Sequence, residues 1–434
     1  VEADARPDGR EEELSDTIYA LSSGAPPAAI AVVRISGPRA DAVLEALAGT
    51  LPEPRRATAA TLRNDGEVID NAVAIRFPGP RSATGEDVAE VHLHGGRAVV
   101  AGVLAALAGI EGLRAAEPGE FTRRAFENGR IDLAEAEGLA DLLEAETDSQ
   151  RRSALALAGG ALSRQVADWQ TALLALAARV EAALDFSDEE DVAPLPADFA
   201  VQLGALRGEL AGWLGRPPAE RLKDGIRVVI AGPPNSGKSS LLNALVGREA
   251  AIVTAIPGTT RDLIEVPIAL GGAPFVLVDT AGLRESAEPV ESIGVARARA
   301  SAEAADLLLW LGSPGEALAH AILVHAKSDL APPSGPAGIA VSARTGAGLD
   351  GLIRILIQHS AELLPAEGEV ALNRRHRRAL DEALDGLNEA ETTADLLVAA
   401  EALRRARLSL DRITGCAGVE DMLDALFGRF CIGK

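Results

Sequence analysis

"IRVVIAGPPNSGKSSLLNALVG" occupies residues 226–247, and its reading decides how the chain is built. A run rich in β-branched residues leads into glycine and proline, and then into a segment whose apolar residues recur at helical spacing. That is a strand, a loop and a helix. Within the loop, Gly232, Gly237, Lys238 and Ser239 satisfy GxxxxGK[ST] in the context the motif requires. Backbone N–H groups of such a loop and of the helix start cradle phosphates; Asn235, Ser236, Gly237 and Ser240 belong to this stretch. Lys238 reaches the β and γ oxygens of a nucleoside triphosphate, and the Ser239 hydroxyl ligates Mg2+.

Further motifs follow in order. "PGTTRD" at 257–262 offers Thr260, which completes the magnesium shell when the γ-phosphate is present. "DTAG" at 279–282 closes an apolar strand; Asp279 stands behind the metal, Thr280 and Ala281 follow it, and the Gly282 N–H senses the γ-phosphate. "AKSD" at 326–329 (Ala326, Lys327, Ser328, Asp329) and "SAR" at 342–344 (Ser342, Ala343, Arg344) end the next two strands. Asp329 is placed to accept from the ring N–H and amino group of guanine, and the Ala343 N–H to meet its carbonyl. Five motifs in this order point to GTP rather than ATP.

The rest of the chain falls into textures around this unit. Residues 15–128 mix short β-like runs ("AIAVVRISG", "NAVAIRFPG", "DVAEVHLHG") with helical stretches, an α+β domain. Residues 129–222 turn to Ala, Leu, Glu and Arg at helical spacing, and that composition returns over 370–434. The α/β unit, residues 223–369 with a mainly parallel sheet, is therefore expected as an insertion into a discontinuous helical domain, with its two ends close together. The fold class is multidomain, α/β and α+β.

With 47% hydrophobic and 24% charged residues the chain reads as a soluble globular protein, and a net charge of −22 argues against avid non-specific nucleic-acid binding. Any RNA contact must be local or come through a basic partner. Two cysteines in 434 residues suggest a reducing, cytoplasmic compartment. The opening "VEADARPDGREEEL" is acidic and expected to be disordered, and "AVVAGVLAALAGI" at 98–110 is too short to span a bilayer, so no membrane association is expected. "FCIGK" at 430–434 lacks the terminal residue of a prenylation box, and Cys431 has neither a metal-ligand set nor a base beside it; a small buried residue is expected. His92 and His94 share one face of a strand and are read as structural or pocket-lining. "DFSDEED" at 185–191 reads as a solvated loop, and "RRHRR" at 374–378 as a solvated basic face, with tRNA phosphate contact as the alternative.

Over almost its whole length the chain resembles the MnmE (TrmE) family of tRNA-modification GTPases. The resemblance rests on "RISG", "TGEDVAEVHLHGG", "PGEFTRRAFENGRIDLAEAEGLADLL", "GREAAIVTAIPGTTRD" and "CIGK". It implies a homodimer formed through an N-terminal domain that binds 5-formyltetrahydrofolate or a related tetrahydrofolate. It also implies potassium-dependent GTP hydrolysis and action with the flavoprotein MnmG (GidA) on the wobble uridine of certain tRNAs, of the 5-aminomethyl or 5-carboxymethylaminomethyl type. Folate contacts carried over from the family fall on Arg34, Glu90, Arg130 and Lys434.

The residue after DTAG is Leu283, which cannot orient water as glutamine does in small GTPases. Spacing does not choose among Glu285, Glu288 and Glu291; the resemblance selects Glu291, with Lys238 as the other catalytic group. It further implies K+ in place of an arginine finger, held by the Asn235 side chain and by the carbonyls of Thr254, Ile256 and Thr259, within the stretch Thr254, Ala255, Ile256, Pro257, Gly258, Thr259. One departure concerns the base: relatives have Asn where Ala326 stands, which removes an amide that would contact guanine N7 and tie loops together. The competing function is a GTP-switched RNA-binding or ribosome-assembly factor without modification chemistry. The folate-type N-terminus and CIGK end favour the first reading.

Overall fold

The computed structural model describes residues 16–185, 195, 197–248, 264–279, 305–318, 320–330, 338–366, 368–416, 423, 426–428 and 430–433. The acidic opening and the loop 186–191 lie outside the described residues. The chain divides into two compact units, Val1–Ala140 with Thr414–Lys434, and Asp141–Ile413.

In the first unit, β1 (Thr17–Leu21), β2 (Ile30–Ser36), β3 (Thr58–Asn64), β4 (Glu67–Phe77), β5 (Val88–His94) and β6 (Leu113–Ala115) form one sheet in the order β3-β4-β5-β2-β1-β6. Only the β1–β6 pair is parallel. On β2, Ala31, Val33 and Ile35 pack with Val43 and Leu44 of helix α1 (Ala40–Ala48) and with Val103 and Leu107 of α2 (Arg97–Ala108). A period of two then puts Arg34 and Ser36 on the opposite face. The apolar run at 98–110 is thus mostly α2, and no described helix is long and apolar enough to cross a membrane. Sequence texture reveals β2, β4 and β5 but not β1, β3 or β6; β3 is a part-exposed edge of small and polar residues, and β6 has three residues.

Helix α3 (Glu120–Glu127) starts at Gly119, whose φ of 73° is left-handed and whose missing Cβ leaves room for the Phe427 carbonyl. Phe427 and Phe430 pack with Ala136 and Ala140 of α4 (Leu133–Glu144). Beyond them Ile432 makes an antiparallel bridge to Pro118, and Gly433 lies against the Leu21 carbonyl. This arrangement corrects the expectation for Cys431: the thiol is exposed, because the inward positions of the tail are taken by the two phenylalanines.

The second unit contains helices and a second sheet. Helices α5 (Asp148–Ala158), α6 (Ala161–Asp185), α7 (Ala197–Leu214) and α8 (Ala219–Asp224) lead into it. Along α6, Leu162, Val166, Trp169, Leu173, Leu176 and Val180 are buried at alternating spacings of four and three, a seam of coiled-coil type. The sheet runs β12-β11-β10-β7-β9-β8, made of β7 (Ile226–Ala231), β8 (Ile264–Leu270), β9 (Ala273–Asp279), β10 (Leu307–Trp310), β11 (Ile322–His325) and β12 (Ile339–Ala340). It is parallel except for β8. β8 escapes the motif reading, although Gly271-Gly272 between two apolar runs is a hairpin signal. Ile226, Val228 and Ile230 face Leu241 and Leu245 of α9 (Lys238–Arg248) and Leu352 and Leu356 of α10 (Leu349–Leu363). Val229 and Ala231 face the other way, onto Val278 and Leu308, which is why β7 is apolar throughout.

The last helices of the unit are α11 (Arg374–Thr392) and α12 (Leu396–Thr414). They approach closely at Gly386, where a Cβ would meet the Ala402 carbonyl at 2.8 Å. The strands of chain entering and leaving the α/β part meet in a parallel bridge between Pro218 and Leu372, with the Ala219 N–H donating to the Leu372 carbonyl at 3.0 Å. The basic cluster is the solvated face expected only at Arg374 and Arg378, which are exposed. Arg375 donates to the carbonyls of Arg412 (2.6 Å) and Ile413 (3.0 Å) at the end of α12, and Arg377 to that of Leu214 (2.6 Å), the last residue of α7, and to that of Arg216 (3.0 Å) just beyond it. Two of its arginines therefore satisfy the orphan carbonyls of helix ends.

Candidate nucleotide site

The loop between β7 and α9 has the backbone of a phosphate cradle. Gly232 (φ 148°) and Gly237 (φ 102°) adopt positive φ, and so does Asn235 at 60°, a residue type that tolerates it. Lys238 is buried, its ammonium donating to the carbonyls of Gly232 (3.1 Å) and Pro233 (2.9 Å), so it is folded back over its own loop. One residue on, the Ser239 hydroxyl donates to Asp279 Oδ2 at 2.6 Å, and Asp279 itself is 2% exposed at the end of β9. A hydroxyl and a carboxylate held side by side at the foot of a phosphate loop suit Mg2+. Within the same loop the Ser236 hydroxyl is buried and has no hydrogen-bond partner among the described residues, a polar atom left for a ligand.

The base loops converge on this cradle. A cavity of about 310 Å³ is lined by Gly237, Ser240, Ala326, Lys327, Asp329 and Ala343, among others. Ser342 donates to Asp329 Oδ1 at 2.7 Å and Arg344 Nε pairs with Oδ2 at 3.0 Å. The Ser342 hydrogen bond, outweighing desolvation with help from the Arg344 charge, holds the Asp329 carboxyl below the usual aspartate range. It is ionised at any physiological pH, as an acceptor for guanine must be. The Ser328 N–H donates to the Val341 carbonyl at 3.0 Å and so links the two loops. Lys327, itself at φ 60°, donates to the Asn235 carbonyl at 2.6 Å and ties the base loop to the phosphate loop. The motif alone did not assign Lys327 this role.

Thr254, Ala255, Ile256, Pro257, Gly258, Thr259, Thr260, Thr280, Ala281, Gly282, Glu291 and Lys434 lie outside the described residues. Of the residues expected at a folate, Arg34 and Glu90 face each other across β2 and β5, and Arg34 donates from Nε (3.0 Å) and an Nη (2.8 Å) to Glu90 Oε1. The guanidinium carbon lies 5.7 Å from the centre of the Phe121 ring, a neighbour that motif reading did not find. His92 lies 3.4 Å from the other Glu90 oxygen, while His94 pairs with Asp70 at 2.8 Å. Arg130 engages a separate stretch, donating to the Ser82 carbonyl at 3.2 Å.

A strand, phosphate loop and helix, with a base loop ending in an ionised aspartate, define a P-loop guanine-nucleotide-binding protein. A family model described as "MnmE helical domain" matches residues 133–431, and one described as "GTP-binding protein TrmE N-terminus" matches 17–130. The chain is 60% identical to the tRNA modification GTPase MnmE of Rhizorhabdus wittichii over 426 residues, 97% of each chain. It is 57% identical to that of Novosphingobium aromaticivorans, covering 97% of this chain and 100% of the relative. Among solved structures it is similar to the G domain of the T. maritima FeoB iron transporter, at 25% identity over 31% of this chain and 98% of that one, with a TM-score of 0.25. This chain belongs to the MnmE family.

Proposed function

We propose that the protein is a GTP hydrolase of tRNA modification whose turnover depends on K+, and that it works as a homodimer with a flavoprotein of the MnmG type on the wobble uridine of certain tRNAs, in the cytoplasm. The observation that carries the reading is the constellation of Lys238, the Ser239–Asp279 pair and Asp329 around one phosphate loop. The names of relatives aligned over nearly the whole chain supply the link to tRNA modification.

The residues divide the work. Asp329 and the Ala343 N–H read the base. Lys238 leaves the carbonyls of Gly232 and Pro233 for phosphate oxygens, a replacement that keeps its charge hydrogen-bonded throughout. Ser239, with Asp279 behind it and Thr260 from the following segment, would hold Mg2+, which neutralises charge on the phosphates. Asn235, with the carbonyls of Thr254, Ile256 and Thr259, would hold K+, and Glu291 would orient the attacking water. In the N-terminal domain, Glu90 presents a carboxylate suited to the donors of a pterin, and Arg34, Arg130 and Lys434 supply cations. The domain spans proposed for these roles are 15–128, 129–222, 223–369 and 370–434.

The test is the ion dependence of hydrolysis. GTP turnover by the full chain is expected to be faster in K+ than in Na+ at equal ionic strength, and Asn235→Ala is expected to erase that difference. Equal rates in both salts would remove the ion site from the proposal and leave the GTPase reading standing.

A further inference from the structure

We infer that the base pocket reads guanine through its N1, N2 and O6 edge alone and leaves N7 unread, so that it accepts 7-deazaguanine nucleotides as well as guanine nucleotides. The inference rests on the guanine reading above and specifies which edge of the base is recognised.

The side-chain donors that the described residues place in the cavity carry the argument. Its lining combines apolar groups (Leu241, Ala326, Leu330, Val341) with the side-chain donors Lys327, Arg344 and Ser240. Lys327 donates to the Asn235 carbonyl at 2.6 Å, and Arg344 is drawn to Asp329 at 3.0 Å, the carboxylate that serves the opposite edge of the purine. At the end of β11, where the base loop leaves the sheet beside the phosphate loop, the side chain is the methyl of Ala326. A Cβ built on Gly237 would lie 3.6 Å from that methyl, so Ala326 lies beside the phosphate loop with room for one further carbon between them. The loop-to-loop tie is thus made by Lys327 and requires nothing of residue 326. Among the described lining residues, Ser240, on the first turn of α9, carries the remaining hydroxyl.

A pocket that donates a hydrogen bond to N7 rejects the 7-deaza base, because the change to C–H removes the acceptor and leaves the donor unpaired. A pocket that offers a methyl loses nothing. Asp329, by contrast, is held ionised and oriented by Ser342 and Arg344, so recognition concentrates on the ring N–H and the exocyclic amine.

The experiment is calorimetric titration of the full chain with GDP, 7-deaza-GDP and ADP. GDP and 7-deaza-GDP are expected to bind within about twofold of each other. In Ala326→Asn the new amide is expected to restore a preference for GDP of about five- to tenfold, the range of a neutral hydrogen bond; Ala326→Ser serves if the asparagine variant does not fold. A wild-type preference for GDP above about fivefold overturns the inference, and its loss in Ser240→Ala would assign N7 to that hydroxyl instead. Ratios near one in both residue-326 variants also overturn it, since position 326 would then not face N7. ADP binding as tightly as GDP is a different failure, which sinks the guanine reading itself.

Discussion

Lys238 and Arg124 are both buried cations, 8% and 2% exposed, yet their surroundings differ. Lys238 donates to two backbone carbonyls of its own loop. Arg124 is set among carboxylates: an Nη reaches Asp16 at 2.6 Å and Glu120 at 2.9 Å, and the other reaches Glu86 at 3.1 Å. Arg114 joins the cluster through Asp16 and Glu120, and Ser36 donates to Glu86 at 2.6 Å. Neutral carbonyls satisfy the hydrogen bonds of a cation without cancelling its charge, so an anion can replace them with a net electrostatic gain. Carboxylates cancel the charge, and an anionic ligand would have to displace formal negative groups. Burial of a cation therefore does not by itself mark a site; the groups that hold it, backbone carbonyls of a phosphate loop in one case and a set of carboxylates in the other, have to be read as well.

Three measurements would break or sharpen this contrast. Arg124→Met should destabilise the N-terminal domain most, by about 3–5 kcal/mol, because it removes a buried cation shared by the half-buried carboxylates of Asp16, Glu86 and Glu120. Chemical denaturation reads this, and a loss below about 1 kcal/mol would show that the network is no structural anchor. Lys238→Ala should leave the melting temperature close to wild type while lowering kcat for GTP by about 10²-fold or more, in line with removal of a preorganised group from a charge-bearing transition state. A variant that unfolds would place Lys238 with Arg124 instead of opposite it. The smallest effect expected is on acidification. Burial tends to raise the Glu120 carboxyl, but the Arg114 hydrogen bond, with the Glu117 N–H and Arg124, wins and holds it below the ordinary glutamate value of 4.5. Its contribution is then fully present above about pH 4.5 and is lost as pH falls through the lower folded value. In Glu120→Gln, stability between pH 5 and 3 should fall less steeply; an unchanged slope would take Glu120 out of the acid response.

The part of the candidate nucleotide site that lies within the described residues was legible from sequence because its parts are local. Four residues of one loop and three short strand ends carry it, and each motif names its own chemistry. The Arg124 cluster was not legible, since Asp16, Glu86 and Glu120 are brought together by the β5-β2-β1-β6 run of the sheet and by the placing of α3. At "RRHRR" composition was right for Arg374 and Arg378, which are exposed, but not for Arg375 and Arg377, which geometry spends on helix ends. It misled again at Cys431, where the type's preference for burial yields to the bulkier Phe427 and Phe430. Arg34 and Glu90 came from resemblance; β-sheet register then makes them direct neighbours.

The hairpin of β8 and β9 is fastened at its turn. The N–H and hydroxyl of Ser149, at the start of α5, both donate to the Gly272 carbonyl, at 3.1 and 2.9 Å, and Gln150, paired with Thr147 in a capping box, donates to the Leu222 carbonyl at 3.0 Å. A body hung on one pair of adjacent chain crossings, such as Pro218 and Leu372, retains a swivel about that attachment. A third fixed point away from it removes the rotation, so the α/β part is mounted on the α5 end of the helical set as a tripod rather than on a stalk.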